Sequence, residues 1–160
     1  MADRFPLIVD GSGTPAIKEI VSGDVLDLTG TTIKAISVDG ASTFTGVATA
    51  STSAKITQVP LATSGSTISW DAAAAANAYL VPSTNLTIDL PSNAVEGAII
   101  SVEIAQGATP YTVAWNTVFE FAASTAPTVT ATANKTDIFS FRYNGSVWQE
   151  IGRVQNLAQT

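Results

Sequence analysis

Asp137-Ile138-Phe139-Ser140-Phe141-Arg142-Tyr143-Asn144-Gly145-Ser146-Val147-Trp148-Gln149-Glu150-Ile151 is the stretch whose reading decides the fold. Phe139, Phe141 and Tyr143 alternate with Ser140 and Arg142, so an extended chain here has one aromatic and one polar face. A period of two is the mark of a half-buried β-strand, because successive Cβ atoms point to opposite sides. Asn144-Gly145 is a strong short-range hairpin signal, since both residues tolerate positive φ. Ser146 to Ile151 then reads as the returning strand.

Moving towards the N-terminus, the same texture repeats. Ala98 to Ala105 carries Ile100, Val102 and Ile104 in phase. Asn85 to Leu90 carries Leu86, Ile88 and Leu90 in phase, and Pro91-Ser92-Asn93 ends it. Tyr111 to Trp115, Val118 to Phe121 and Thr128 to Ala131 are further extended pieces. Short strands separated by Gly, Pro and Asn clusters indicate an antiparallel sandwich or jelly roll. Asp71-Ala72-Ala73-Ala74-Ala75-Ala76-Asn77 departs from this pattern. Its alanines favour helix and Asp71 suits an N-cap, but it is too short to be stable alone. A helical turn or a loop beside a strand over Ala78 to Val81 is expected.

The first 63 residues differ from the rest. Phe5 to Val9 and Ala16 to Val21 flank the turn segment Asp10-Gly11-Ser12-Gly13-Thr14-Pro15, which predicts a hairpin. Short extended pieces follow at Val25 to Leu28, Thr31 to Val38, Thr43 to Ala48 and Lys55 to Pro60. Each has few large apolar residues, too few to offset a chain entropy of about 1–2 kcal/mol per residue. This stretch is expected to order only against another surface. The sequence therefore predicts an all-β protein: an extended N-terminal arm with a hairpin over 1–63, and an antiparallel, jelly-roll-like β-sandwich over 64–160.

Composition narrows the chemistry. Among 160 residues there is no histidine and no cysteine, and only 12% are charged. Most catalysis near neutral pH uses imidazole, thiolate or clustered carboxylates. Disulfides and thiolate–metal sites are excluded outright. Seven Lys and Arg against 13 Asp and Glu give a net charge of −6, with too few cations to neutralise nucleic-acid phosphates or grip an anionic membrane. No apolar run approaches the roughly 18 residues of a membrane-spanning helix. The opening Met1 to Pro6 lacks the basic and apolar regions of a secretion signal, so synthesis in a cytosol is expected. No enzyme activity, cofactor or metal is expected.

Several constellations have two readings. Trp70, Trp115 and Trp148 with Tyr79, Tyr111 and Tyr143 form either a sugar-stacking platform or core and subunit-seam packing. Asp24 with Asp27, or Asp71 with Asp89, are turn acids, because a calcium loop needs more oxygen ligands at tighter spacing. Asp89, Glu96, Glu103 and Glu120 offer carboxylates for a glycosidase pair, but nothing in their spacing selects two of them. Asn85-Leu86-Thr87, Asn134-Lys135-Thr136 and Asn144-Gly145-Ser146 match the glycosylation triplet, which a Ser- and Thr-rich chain produces readily. Arg4 is either a solvated terminus or a partner for acidic groups on a docking surface.

The opening residues Ala2-Asp3-Arg4-Phe5-Pro6-Leu7-Ile8-Val9-Asp10, with Ile17-Lys18-Glu19-Ile20 and Ser22-Gly23-Asp24-Val25-Leu26-Asp27-Leu28-Thr29-Gly30, resemble the N-termini of cyanophage virion structural proteins. Thr112 to Asn116, Ala126 to Thr128 and Ala133 to Phe141 are similar to β domains of phage tail fibres and head appendages. Phe44-Thr45-Gly46-Val47-Ala48-Thr49-Ala50 looks like the small-residue phrases of trimeric fibre shafts. The resemblance implies a non-enzymatic, trimeric component of the virion, made in the host cytoplasm and docked by its arm. The docking and oligomer contacts would be Arg4, Phe5, Leu7, Ile8, Val9, Ile17, Ile20, Leu26, Leu28 and Phe44. Its partners would be copies of itself and a major capsid, tail or neck protein. Shaft repeats are absent, which favours a capsid decoration (cement) protein or a short head or tail appendage over a long fibre. The alternative is an adhesion module that binds host-surface glycans through exposed aromatics.

Overall fold

A computed structural model of the chain describes residues 7–9, 15–17 and 55–159. The chain divides into two compact units, Met1–Thr49 and Ala50–Thr160. In the first, β1 (Leu7–Val9) and β2 (Pro15–Ile17) pair antiparallel, with Leu7 opposite Ile17 and Val9 opposite Pro15. This is the expected hairpin. The other strands expected before residue 50 lie outside the described residues.

The described residues of the second unit are β-strands joined by loops, with one 3-10 turn at Ala122–Ser124. The strands are β3 (Gln58–Pro60), β4 (Ala62–Ser64), β5 (Thr67–Ser69), β6 (Asn77–Leu80), β7 (Leu86–Ile88), β8 (Ile99–Ala105), β9 (Val113–Trp115), β10 (Phe119–Glu120), β11 (Lys135–Tyr143) and β12 (Trp148–Ala158). Six strands form one sheet in the order β10-β12-β11-β8-β6-β3, and four form another in the order β4-β5-β7-β9. Buried residues of both sheets belong to one hydrophobic cluster. Gln58–Pro60, which the sequence groups with the arm, is an edge strand of the larger sheet.

Antiparallel pairing, expected throughout, holds for β4–β5, β8–β11 and β11–β12. Elsewhere the strands run parallel: β3–β6–β8 in one sheet, β5–β7–β9 in the other, and β10–β12 at the edge. From β5 to β9 the chain visits the two sheets alternately, adding one strand to each per circuit. Parallel neighbours need a crossover of a dozen or more residues, and here the strand in the opposite sheet supplies it. Alternation cannot reveal this, because parallel and antiparallel strands share the same period.

Stacked rows fill the core. Val59, Ala78, Val102 and Phe139 are in register across four strands, and Ile68, Ile88 and Trp115 across three. Ile100, Val102 and Ile104 are buried together with Phe139 and Phe141, as the alternation predicts. Tyr143 is half-buried with its ring 4.9 Å from that of Trp148.

Asp71 caps a single helical turn as expected. Its Oδ1 accepts from Ala73 N (3.0 Å) and Ala74 N (3.3 Å), and its carbonyl accepts from Ala75 N (2.9 Å). Trp70 Nε1 closes the turn by donating to the Ala75 carbonyl at 2.8 Å.

Three local expectations need correction. Leu90 is 57% exposed rather than in the core with Leu86 and Ile88. β7 stops at Ile88 because the Asp89 carboxylate takes the Leu90 N–H (2.8 Å) and the Asn116 amide (2.8 Å), turning the chain before Pro91. Asn144-Gly145 does not make a two-residue turn, since Tyr143 pairs with Trp148 and four residues lie between. Asn144 Oδ1 accepts from Ser146 N (3.0 Å) and Val147 N (2.9 Å), and Gly145 supplies the positive φ of 97°. Thr128 to Ala131 is not a strand. Side chains occupy its backbone groups instead: Gln155 Nε2 on the Thr128 carbonyl (2.8 Å), Asp137 Oδ2 on Thr130 N (2.7 Å), and Gln106 Nε2 on the Thr130 carbonyl (2.9 Å).

Candidate functional site

The outer face of the larger sheet is one candidate surface. Pro60, Tyr79, Glu103, Ile138 and Val154 are mutual register partners across β3, β6, β8, β11 and β12. Tyr79, Ile138 and Val154 are exposed in that row, and Ile99 is exposed further along the same face of β8. Glu103 interrupts it and accepts from Gln58 Nε2 at 2.9 Å. Sheets rich in parallel strands are ordinarily covered on both faces. Here one face carries the core and the other presents apolar side chains to solvent.

β12 continues this surface to the sheet edge. Its eleven residues face β10 only at Trp148 and Gln149. Among the described residues the remainder, Glu150 to Ala158, pairs on one side only and exposes Ile151, Val154 and Leu157. An edge strand of this length offers unpaired backbone groups to any approaching chain. Its geometry comes from a bulge between Thr136 and Ile138, where Asn156 takes φ 61°.

Asp137 sits opposite that irregularity and is only 1% exposed. Its carboxylate accepts from Thr130 N (2.7 Å), Gln155 Nε2 (2.9 Å) and Asn156 N (2.8 Å). Burial pushes its pKa up, but the donors from Gln155, Thr130 and Asn156 outweigh burial and hold it below the ordinary carboxylate value. Gln106, equally buried, donates to the Tyr111 and Thr130 carbonyls (both 2.9 Å) and accepts from Tyr111 N (3.0 Å). These two side chains tie three loops to the end of the core. Every donor and acceptor role is structural, with no open side to the carboxylate.

A cleft of about 560 Å³ opens beside β9 and β10. Trp115, Phe119 and Phe121 form its aromatic side, and Asn116, Glu120 and Ser124 contribute polar atoms. Trp115 is held edge-on by Phe119, Phe121, Phe139 and Phe141, with centroids 5.3, 5.5, 4.8 and 5.3 Å away. Asn116 is fixed through its amide on Asp89 Oδ1 (2.8 Å) and its Oδ1 on Val118 N (3.0 Å). Ala123 and Ser124 at the rim both have positive φ, 56° and 53°.

The expected docking residues fall as follows. Leu7, Ile8 and Val9 lie on β1 and Ile17 on β2. Arg4, Phe5, Ile20, Leu26, Leu28 and Phe44 lie outside the described residues, as do Asp24 and Asp27. Of the aromatics weighed as a sugar platform, Trp70 and Trp148 are buried, Trp115, Tyr111 and Tyr143 are half-buried, and Tyr79 is exposed. The asparagines of the glycosylation-like triplets hold turns: Asn85 Oδ1 accepts from Thr112 N (3.0 Å), and Asn134 takes φ 56°. Asp71 bonds Asn93 Nδ2 (2.9 Å) in addition to its cap. Among the described residues, no group of three or more His, Cys, Asp or Glu side chains is placed to hold a metal. The exposed row on the larger sheet was legible only as alternation; which face stays uncovered depends on the pairing.

Compared with known proteins, the chain matches no family model and no curated sequence.

Proposed function

We propose that this chain is a non-enzymatic structural protein of a phage particle: a trimeric capsid decoration or short head or tail appendage protein. In this reading the unit Ala50–Thr160 is a sandwich-like body, and the N-terminal arm docks on a neighbouring particle protein. The observation that carries it is the apolar row on the outer face of the larger sheet, running out to the one-sided strand β12. A face of this kind gains stability when covered, at roughly 25 cal/mol per Å² of apolar area removed from water. Strand addition along β12 would satisfy its free backbone groups at the same time. Three copies around an axis give a closed solution in which no such edge is left to propagate. The acidic, histidine-free and cysteine-free composition is consistent with a passive building part.

Light scattering on the full chain tests the reading. A trimer at micromolar concentration is expected, and Val154→Lys, at a position 53% exposed, should shift it towards monomer without loss of fold. A stable, folded monomer across that range counts against the proposal. Labelling of intact particles then separates a capsid position from a tail or neck position.

A further inference from the structure

We infer that the cleft beside β9 and β10 is a binding site for a neutral saccharide, with Trp115 and Phe121 as its apolar wall and Glu120 as its principal hydrogen-bond acceptor. Such a site is independent of the particle reading, because a particle protein can function without one.

The volume of about 560 Å³ lies in the range of about 300–1,000 Å³ typical of small-ligand sites. The wall is preorganised. Four phenylalanine rings fix the Trp115 indole, so little order remains to be imposed when a ligand arrives. Phe119 is buried, leaving Trp115 and Phe121, both half-buried, to meet a ligand.

The polar side complements this wall. Glu120 Oε2 accepts from Gln149 Nε2 at 3.2 Å, which orients the carboxylate. Oε1 accepts no hydrogen bond from the described residues and lies on an exposed side chain. Ser124, also exposed, adds a hydroxyl at the rim. It sits in a loop where two consecutive non-glycine residues occupy the left-handed region. Such conformations persist only where the surroundings enforce them, and they cluster at ligand clamps. Here Thr125 Oγ1 on the Ala123 carbonyl (3.1 Å) and Ser124 N on the Phe121 carbonyl (3.1 Å) do the enforcing.

The ligand class follows from what the lining contains and lacks. It has no Lys or Arg, which disfavours phosphate, sulfate or carboxylate ligands. It has an aromatic wall together with carboxylate and hydroxyl oxygens. A pyranose has a flat C–H face and a perimeter of hydroxyls, and matches both. A quaternary ammonium would also meet aromatic rings and a carboxylate. That alternative is weaker, because with Phe119 buried only Trp115 and Phe121 face the cleft, too few rings for an enclosing cage.

The test is amide NMR on the full chain, titrated with neutral hexose, deoxyhexose and N-acetylhexosamine mono- and disaccharides to about 50 mM, where a millimolar site saturates. Saturable shifts confined to residues 113–126 and Gln149 are expected with at least one sugar. Glu120→Ala should weaken that binding about tenfold or more while the remaining spectrum and the melting point stay unchanged. Phe121→Leu, which keeps an apolar side chain, should weaken it without unfolding the sheet. The inference is overturned if no sugar shifts these residues, if the shifts map elsewhere, if Glu120→Ala leaves affinity unchanged, or if tetramethylammonium binds where the sugars do not.

Discussion

Replacing Asp137 with asparagine should destabilise the protein by about 3–5 kcal/mol at neutral pH, a large share of the roughly 5–15 kcal/mol that holds a typical domain together. The carboxylate is 1% exposed and accepts three hydrogen bonds, two at Oδ2 and one at Oδ1. An amide has one acceptor oxygen. In its better orientation it keeps Thr130 N and Gln155 Nε2 on oxygen and turns its own N–H groups towards Asn156 N. The Asn156 N–H is then unsatisfied against a buried amide, at about 1–3 kcal/mol, and two bonds lose their charge assistance, at about 1 kcal/mol each. Urea unfolding followed by the fluorescence of the buried Trp70 and Trp148 measures the difference. Its pH dependence is the sharper check. The folded pKa of Asp137 is depressed, so its contribution is complete above the unfolded value of about 3.9 and is lost as pH falls through the lower folded value. The amide variant has no such loss, and the other carboxylates are common to both proteins. The gap should therefore be constant from neutral pH down to about 5 and narrow below about 4. A gap under about 1 kcal/mol at neutral pH, or one that widens in acid, would refute the reasoning.

Three further outcomes follow from burial and hydrogen bonding. Trp70→Phe should cost about 1–2 kcal/mol more than Trp148→Phe by the same urea assay. Both indoles are buried, but Trp70 Nε1 satisfies the Ala75 carbonyl, whereas Trp148 Nε1 has no hydrogen-bond partner among the described residues to lose. Ile88→Ala should cost about 2–5 kcal/mol and Leu90→Ser less than about 0.5, although the two residues alternate in phase in the sequence. Gly145→Ala should raise the free energy of the native state by about 1 kcal/mol through its positive φ alone. An added Cβ there would find only ordinary contact with the Glu96 side chain at 3.7 Å. Thermal melts measure the last two outcomes.

The loop Thr128 to Ala131 shows how polar side chains override strand propensity. Its Thr-Val-Thr composition suits a sheet, and Val129 is buried as a strand residue would be. Yet the Thr128 carbonyl and both backbone groups of Thr130 are taken by Gln155, Asp137 and Gln106, each from a different part of the chain. Where side chains already satisfy the backbone, a ladder offers nothing more. The sequence contains all three partners, but no local rule connects residues so separated. The same holds for the cleft. Trp115 and Glu120 are close in sequence, while two of the rings that fix the indole and the amide that orients the carboxylate come from β11 and β12.

Alternation alone determined that the described residues are all-β, placed Ile100, Val102, Ile104, Phe139 and Phe141 in the core, and, with the turn residues, located the β1–β2 and β11–β12 hairpins. These depend on side chains one or two positions apart, or on a turn joining adjacent strands, and such relations are local. Composition likewise excluded thiolate and imidazole chemistry, because the atoms are missing. Tertiary structure decided the parallel circuits, the sheet face left open, the one-sided edge of β12 and the cleft beside β10. A strand's period is the same whichever neighbour it pairs with, so the choice of neighbour belongs to the assembled core and not to any segment of the chain.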